Sequence, residues 1–156
     1  HTIEKLPDAI PYVTSYYKKD WGFCLQYNQY KDLSNGTYRV YIDSDLRPSK
    51  LTIGNLTLPG MSNNEILLNA FLCHPSMAVN EFSGPLLLTF LYKKLHSYQL
   101  FKHTIIFLLC PENIGTAAFL SMFGDYLVSD LTAGFIVNCV GHGDCYTYKY
   151  SRRGNT

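Results

Sequence analysis

Three short apolar runs, separated by segments with a helical pattern, constrain the fold of this chain more than any other feature. They cover residues 66–73, 103–110 and 134–139, and each ends in a cysteine. Continuous apolar runs of this length are typical of strands buried on both faces, and residues 84–95 and 114–123 have the pattern of crossover helices. Strand–helix–strand units of this size form right-handed parallel crossovers. We therefore predict an α/β fold with a mixed, mostly parallel sheet and flanking helices.

The chain before Gly60 has a different pattern. Residues 38–43 and 51–58 are enriched in β-branched and aromatic side chains, alternate partially in polarity, and are separated by Pro48. These features predict a pair of antiparallel strands.

Composition excludes several classes of protein. The 156-residue chain has a formal net charge of +1 and no run of Lys or Arg longer than two residues, so we expect no nucleic-acid or membrane partner. Its apolar runs are far shorter than the roughly 20 residues of a membrane-spanning helix. Five cysteines, an odd number, and no signal-peptide pattern argue against a disulfide framework and favour a cytoplasmic location.

A polar residue follows each of the three predicted buried strands. His74 comes directly after the first, Glu112 lies two residues after the second, and His142 lies three residues after the third. Ligands of open α/β sheets bind beyond the carboxyl ends of the strands, so these side chains are expected at one rim. Two imidazoles and a carboxylate suit Zn²⁺, and a carboxylate outside the coordination sphere can take a proton from water. We assign His74 and His142 as metal ligands and Glu112 as the general base.

Each candidate has a structural alternative. Asn80 and Glu81 lie at the start of the first predicted helix, where their oxygens can cap the helix or reach the metal. Glu112 could instead favour the dipole of the following helix from its first turn. His142 lies in a Gly-His-Gly turn, where a flexible exposed histidine is equally expected.

The cysteines that end the runs, Cys73, Cys110 and Cys139, are expected to be small buried hydrophobes. A cysteine-dependent enzyme built on Cys73 or Cys110 is a further alternative, although no triad partner accompanies either residue. The sequence contains neither a Cys-x-x-Cys pair nor the Gly-x-Ser-x-Gly motif of serine hydrolases.

Six motifs occur in order over nearly the whole chain: Ile10-Pro-Tyr-Val-Thr-Ser-Tyr-Tyr, Trp21-Gly-Phe-Cys-Leu, Cys73-His-Pro-Ser-Met-Ala, Ser83-Gly-Pro, Pro111-Glu-Asn-Ile-Gly and Tyr148-Lys-Tyr-Ser-Arg-Arg-Gly-Asn. Together they resemble bacterial aminopeptidase-like domain proteins associated with polysaccharide biosynthesis. That family is similar to zinc aminopeptidases, which implies a phosphorylase/hydrolase-like α/β core, a small inserted β domain and a C-terminal winged-helix region.

The resemblance implies that His74 is the first metal histidine and Glu112 the general base. His142 stands where relatives usually have an aspartate ligand. The metal-bridging aspartate of relatives falls near Val79-Asn80, and their second glutamate ligand falls at Asn113, so carboxylates are missing at both positions. A two-metal site is therefore not expected.

A single zinc site built from His74, His142 and Glu81, with Asn80 beside it, is easier to assemble, and a metal-free site is the alternative. The resemblance also implies that residues 1–9 are the tail of an inserted β domain and that residues 10–156 are an incomplete core.

These observations predict a cytoplasmic zinc-dependent hydrolase in which a zinc-held water attacks a peptide or an amide on a sugar precursor. Association into a homo-oligomer is left open. The competing hypothesis is a catalytically silent binding or scaffold protein of the same fold.

Overall fold

The computed structural model describes residues 1–15, 17–74, 77–98 and 100–154. The chain divides into two compact units, His1–Ser49 and Lys50–Thr156. Four motif residues, Tyr16, Pro75, Ser76 and Asn155, lie outside the described part. The boundary expected between residues 9 and 10 concerns an inserted domain and stays a prediction.

The first unit has one short helix, α1 (Tyr27–Lys31), among its described residues. Local polar contacts hold the helix to the start of the chain: the Tyr27 hydroxyl donates to Glu4 at 3.1 Å, and the Asn28 amide donates to Asp8 at 2.8 Å. The strand predicted at residues 38–43 is wrong, because these residues form no ladder with any described segment. Alternating side chains favour a strand only where a partner strand satisfies the backbone groups.

The second unit contains the sheet and its helices. Its elements are β1 (Gly54–Leu58), β2 (Ser62–Phe71), a π-helical turn (Ala78–Phe82), α2 (Ser83–Leu95), β3 (His103–Cys110), α3 (Ile114–Asp130) and β4 (Leu131–Ile136). The strand order is β1-β3-β2-β4. Strand β2 is parallel to both β3 and β4, whereas β1 is antiparallel to β3. The predicted mixed, mostly parallel α/β fold is confirmed, but β1 pairs with β3 rather than with residues 38–43.

The hydrophobic core lies on both faces of the central strands, which explains why the strand sequences are continuously apolar. One buried cluster joins Phe107 and Ala70 of the sheet to Leu88 of α2. The other joins Leu108 of the sheet to Phe119 of α3, and includes further side chains of both elements. Helix α2 therefore packs on one face of the sheet and α3 on the other.

The ends of the elements differ from the prediction in two places. Helix α3 continues to Asp130, beyond the predicted end at residue 123, because Leu127 packs into the same core cluster as Phe119. Strand β4 consequently begins at Leu131 and ends at Ile136, so Cys139 falls in the loop rather than at a strand end.

In the part of the chain that the structure describes, no helix combines the length and the apolar character that crossing a membrane requires. All five cysteines are described and have free thiols. The cytoplasmic location stays a prediction.

Gly84 sets the distance between α2 and the sheet. A Cβ atom at this position would lie 2.2 Å from the Val137 carbonyl oxygen and 3.1 Å from Ala70 Cβ. We expect Gly84→Ala to lower the free energy of unfolding by about 1–3 kcal/mol. The new methyl group would collide with the Val137 backbone, which cannot move aside as a flexible side chain could.

Gly124→Ala in α3 is the matched control, since a Cβ there meets nothing within 4 Å. It should raise the free energy of unfolding by about 0.5–1 kcal/mol through helix propensity. Urea denaturation measures both variants, and an equal effect of the two substitutions would refute the packing argument.

Candidate metal centre

The candidate site lies just beyond the carboxyl ends of the two central strands. The backbone N–H of Leu72 donates to the Cys110 carbonyl at 3.1 Å, which keeps the two chains together where β2 and β3 end. Cys73 and His74 follow immediately. The π-helical turn then carries Glu81 back toward them, with its own N–H bonded to Met77 at 2.8 Å. π-Helical turns are rare and are frequent at functional sites.

Three potential ligand side chains converge at this point. His74 Nδ1 lies 2.8 Å from Glu81 Oε1 and 3.1 Å from Cys73 Sγ, and the thiol lies 3.8 Å from the same carboxylate oxygen. The ligand atoms all lie within 4.8 Å of one another. Within residues 1–15, 17–74, 77–98 and 100–154, this is the one group of three or more His, Cys, Asp or Glu residues that could hold a metal ion.

The donor set fits zinc. Thiolate, imidazole and carboxylate are the ligands that Zn²⁺ takes, at bond lengths of about 2.0–2.3 Å. Two such bonds span at most about 4.6 Å. The separations of 2.8, 3.1 and 3.8 Å among His74 Nδ1, Cys73 Sγ and Glu81 Oε1 fall within that span. The His74 and Glu81 side chains are only 9% and 4% exposed, whereas Cys73 lies on the exposed side of the group.

Glu81 is held in its charged form. Burial raises the pKa of this carboxyl. Hydrogen bonds from the Cys73 backbone, the His74 side chain and the His74 backbone lower the pKa by more than burial raises it, so the pKa lies below its ordinary value. The Cys73 N–H donates to one carboxylate oxygen, and His74 contacts the other. A fixed negative charge is therefore present where a cation would bind.

The Cys73 thiol has the opposite tendency. Partial burial raises its pKa, the Glu112 N–H lowers it, and the charges of Glu81 and Glu112 raise it again, leaving the pKa above its ordinary value. Negative charge thus surrounds the thiol. A cation replacing the thiol proton would relieve this repulsion.

Glu112 borders the group through its backbone. Its N–H donates to Cys73 Sγ at 3.3 Å. The next residue, Asn113, has φ 57° and ψ −67°, and the Ile114 N–H bonds to the Glu112 carbonyl at 2.6 Å. This is a γ-turn, a strained conformation of the kind that concentrates at functional sites. Glu112 precedes the N-cap Asn113, so it lies outside the first turn of α3.

The structure brings His74 and Glu81 together and places Glu112 beside them. His142 is exposed in the loop after β4 and is not a member of the three-residue group. Asn80 precedes Glu81 in the π-helical turn, and its buried Oδ1 has no hydrogen-bond partner among the described residues. The ligand roles of His142 and Asn80 stay predictions.

Cys73 was considered from the sequence as a possible nucleophile but not as a metal ligand. Cys73 and Cys139 were predicted to be buried hydrophobes, but both are exposed, and only Cys110 is buried as expected. Strand β2 ends at Phe71, two residues earlier than predicted, so Cys73 lies in the loop with His74 rather than within the sheet. A thiol adjacent in sequence to the leading candidate ligand was the available signal.

A mixed, mostly parallel sheet with a thiol, an imidazole and a carboxylate at the carboxyl end of its central strands defines an α/β protein with a candidate metal centre. The chain belongs to the family described as a domain of unknown function, DUF4910, whose model matches residues 5–156.

Two comparisons extend this assignment. A Clostridium acetobutylicum protein named for polysaccharide biosynthesis and an aminopeptidase-like domain is 40% identical over 155 residues, covering 99% of this chain and 35% of that protein. A crystal structure from Clostridium acetobutylicum, named as a peptidase, matches with a TM-score of 0.77 and 42% identity, over 90% of this chain and 33% of that one. The resemblance drawn from the six motifs is confirmed. The chain spans about a third of the length of these relatives.

Proposed function

We propose that this chain forms part of a zinc-dependent hydrolase that cleaves a peptide or amide bond. The observation that carries the proposal is the convergence of Cys73, His74 and Glu81 beyond the central strands, with Glu112 at their edge. The names of the two relatives, aminopeptidase-like and peptidase, support the same reaction class.

His74, Glu81 and Cys73 are the proposed ligands of one zinc ion. Zinc in such a site supplies a Lewis acid and lowers the pKa of water at its open position to about 7. The carboxylate of Glu81 contributes a fixed negative charge, and its contact with His74 fixes the orientation of the imidazole.

Glu112 is the proposed general base. It takes the proton as water adds to the amide carbonyl, and it returns that proton to the leaving nitrogen as the C–N bond breaks. Its support is positional: the γ-turn at Asn113 and the N–H bond to Cys73 hold this residue at the edge of the ligand group. Glu112 makes no first-turn contribution to α3 that would otherwise explain its place.

The proposed substrate is a peptide or an amide on a sugar precursor, the second because one relative is named for polysaccharide biosynthesis. A catalytically silent binding protein is the second candidate. Val79 and Asn113 stand where the resemblance implies carboxylate ligands, and the absence of carboxylates there favours that candidate.

Cobalt substitution tests the ligand set. A Co²⁺-loaded chain should show a near-ultraviolet thiolate-to-cobalt charge-transfer band, which Cys73→Ser should abolish while the visible d–d bands persist. Cys24→Ser is the matched control, because Cys24 lies in the first unit and outside the ligand group. An unchanged charge-transfer band in Cys73→Ser would remove Cys73 from the proposed ligands.

A further inference from the structure

A cavity lies at the end of the sheet opposite the candidate metal centre, where β2 and β3 begin. Its volume is about 550 Å³, and β1, the loop before β2, the start of β3 and the last turns of α3 line it. Glu65 of β2 faces this cavity. Glu65 lies six positions before Phe71, the end of β2, which is roughly 20 Å at about 3.3 Å per residue.

Glu65 is a buried carboxylate with an unsatisfied oxygen. The residue is 3% exposed, and its Oε1 accepts a hydrogen bond from the Tyr126 hydroxyl. Its Oε2 is buried and has no hydrogen-bond partner among the described residues. A buried polar atom without a partner is costly, so an uncompensated carboxylate oxygen at a cavity wall points to a ligand.

The surroundings of Glu65 favour a cation. Asp130 is a second carboxylate on the wall, and none of the described residues that line the cavity is Lys, Arg or His. Hydrogen bonding to Glu65 raises the pKa of Tyr126, with burial and the charges of Glu65 and Asp130 acting in the same direction. No counter-charge on the wall balances the two carboxylates.

The apolar part of the wall selects the kind of cation. Ile106, Phe119 and Leu127 face the cavity from the sheet and from α3. A hard divalent ion such as Mg²⁺ or Ca²⁺ takes six or more oxygens, from the protein or from retained waters, and gains nothing from these side chains. A primary ammonium group on an aliphatic stem pairs with the carboxylates and packs its methylene groups against the apolar wall.

We propose that this cavity binds a primary ammonium group carried on an aliphatic chain. The same chemistry is offered by a free alkylamine and by a lysine side chain of another polypeptide segment. The inference rests on Glu65, Tyr126 and Asp130 and is independent of the proposed hydrolase function.

Titration of the ¹⁵N-labelled chain, followed by NMR, tests the site. n-Butylammonium chloride should cause saturable shifts in residues around the cavity, whereas 1-butanol, its neutral counterpart, should not. Nα-acetyl-lysine N-methylamide separates the two sources: binding tighter than that of butylammonium indicates a lysine side chain of a polypeptide, and weaker binding or none indicates a free amine.

Two variants locate the interaction. Glu65→Gln should weaken butylammonium binding by about tenfold or more, as expected for a lost charge-assisted hydrogen bond. Asp130→Asn, at a half-buried position on the cavity wall, should weaken it in the same direction. Asp125→Asn is the matched control, because Asp125 is exposed on the same helix and does not line the cavity.

Three results would overturn the proposal: no saturable response to butylammonium, an equal response to 1-butanol, or saturable binding of MgCl₂ without binding of the amine. Equal weakening by Asp125→Asn and Glu65→Gln would also overturn it, because net charge rather than the cavity would then explain the binding.

Discussion

Replacing Glu112 with glutamine is expected to lower the rate of amide hydrolysis by about 10²–10⁴-fold, the usual contribution of a general base. Glutamine keeps the size of the side chain and the backbone N–H that bonds Cys73, but it cannot accept a proton. The zinc content should therefore be unchanged. Hydrolysis of chromogenic aminoacyl anilides, measured beside metal analysis of the same samples, gives both quantities.

The exposed Asp125→Asn is the control for this experiment, since it removes one carboxylate on α3 away from the ligand group. Full activity in Glu112→Gln would contradict the general-base role. Joint loss of zinc and activity would instead make Glu112 a ligand. A silent binding protein predicts no turnover in either form and an unchanged affinity for its ligand.

Glu81→Gln is expected to have the largest combined effect on stability and metal binding. Glu81 is 3% exposed, and its two carboxylate oxygens contact the Cys73 N–H and His74 Nδ1. Glutamine presents an NH₂ group to one of these donors, so a buried hydrogen bond is replaced by an unsatisfied pair. We expect about 1–3 kcal/mol lower stability to urea and a zinc affinity reduced by more than about 100-fold.

The pH dependence of the Glu81 effect follows from the sign of its pKa shift. The folded-state pKa is lowered, so the charged carboxylate stabilises the fold above the unfolded-state pKa of about 4.3, and this contribution is lost as pH falls through the folded value. The stability difference between wild type and Glu81→Gln should therefore shrink on acidification below about pH 4. A constant difference across that range would contradict the assigned charge state.

Glu4→Gln is the matched substitution for Glu81→Gln. Glu4 is exposed and accepts one hydrogen bond, from Tyr27 at 3.1 Å. Its replacement should change stability by less than about 1 kcal/mol and leave zinc binding intact. Equal losses of stability and zinc affinity in the two variants would contradict the role assigned to the buried Glu81 carboxylate.

The sequence predicted the central strands well because burial on both faces leaves a continuous apolar run. Strand β3 has the predicted bounds, His103–Cys110, and α2 begins one residue before the predicted start. The prediction of a strand at residues 38–43 was wrong, because the alternation of side chains does not indicate whether a partner strand exists. The predicted end of α3 at residue 123 was wrong, because tertiary packing of Leu127 in the core extends the helix past Gly124.

The candidate site was only partly predictable for a similar reason. The order of strands placed His74 and Glu112 at one rim, since both follow parallel strands. Contact between His74 and Glu81 depends on the π-helical turn at Ala78–Phe82, and no periodicity in the sequence indicates that turn. Cys73 was not predicted as a ligand, because its position beside His74 and Glu81 depends on β2 ending at Phe71, and strand ends are the part of a pattern that sequence predicts least well.

Zinc analysis of the purified chain and of His74→Ala tests the central claim most directly. After loading with zinc and dialysis, wild type should retain one zinc per chain and His74→Ala should retain none. His96→Ala, at the exposed end of α2, should behave as wild type. Absence of zinc from wild type, or equal retention by His74→Ala, would contradict the assignment of a metal centre at Cys73, His74 and Glu81.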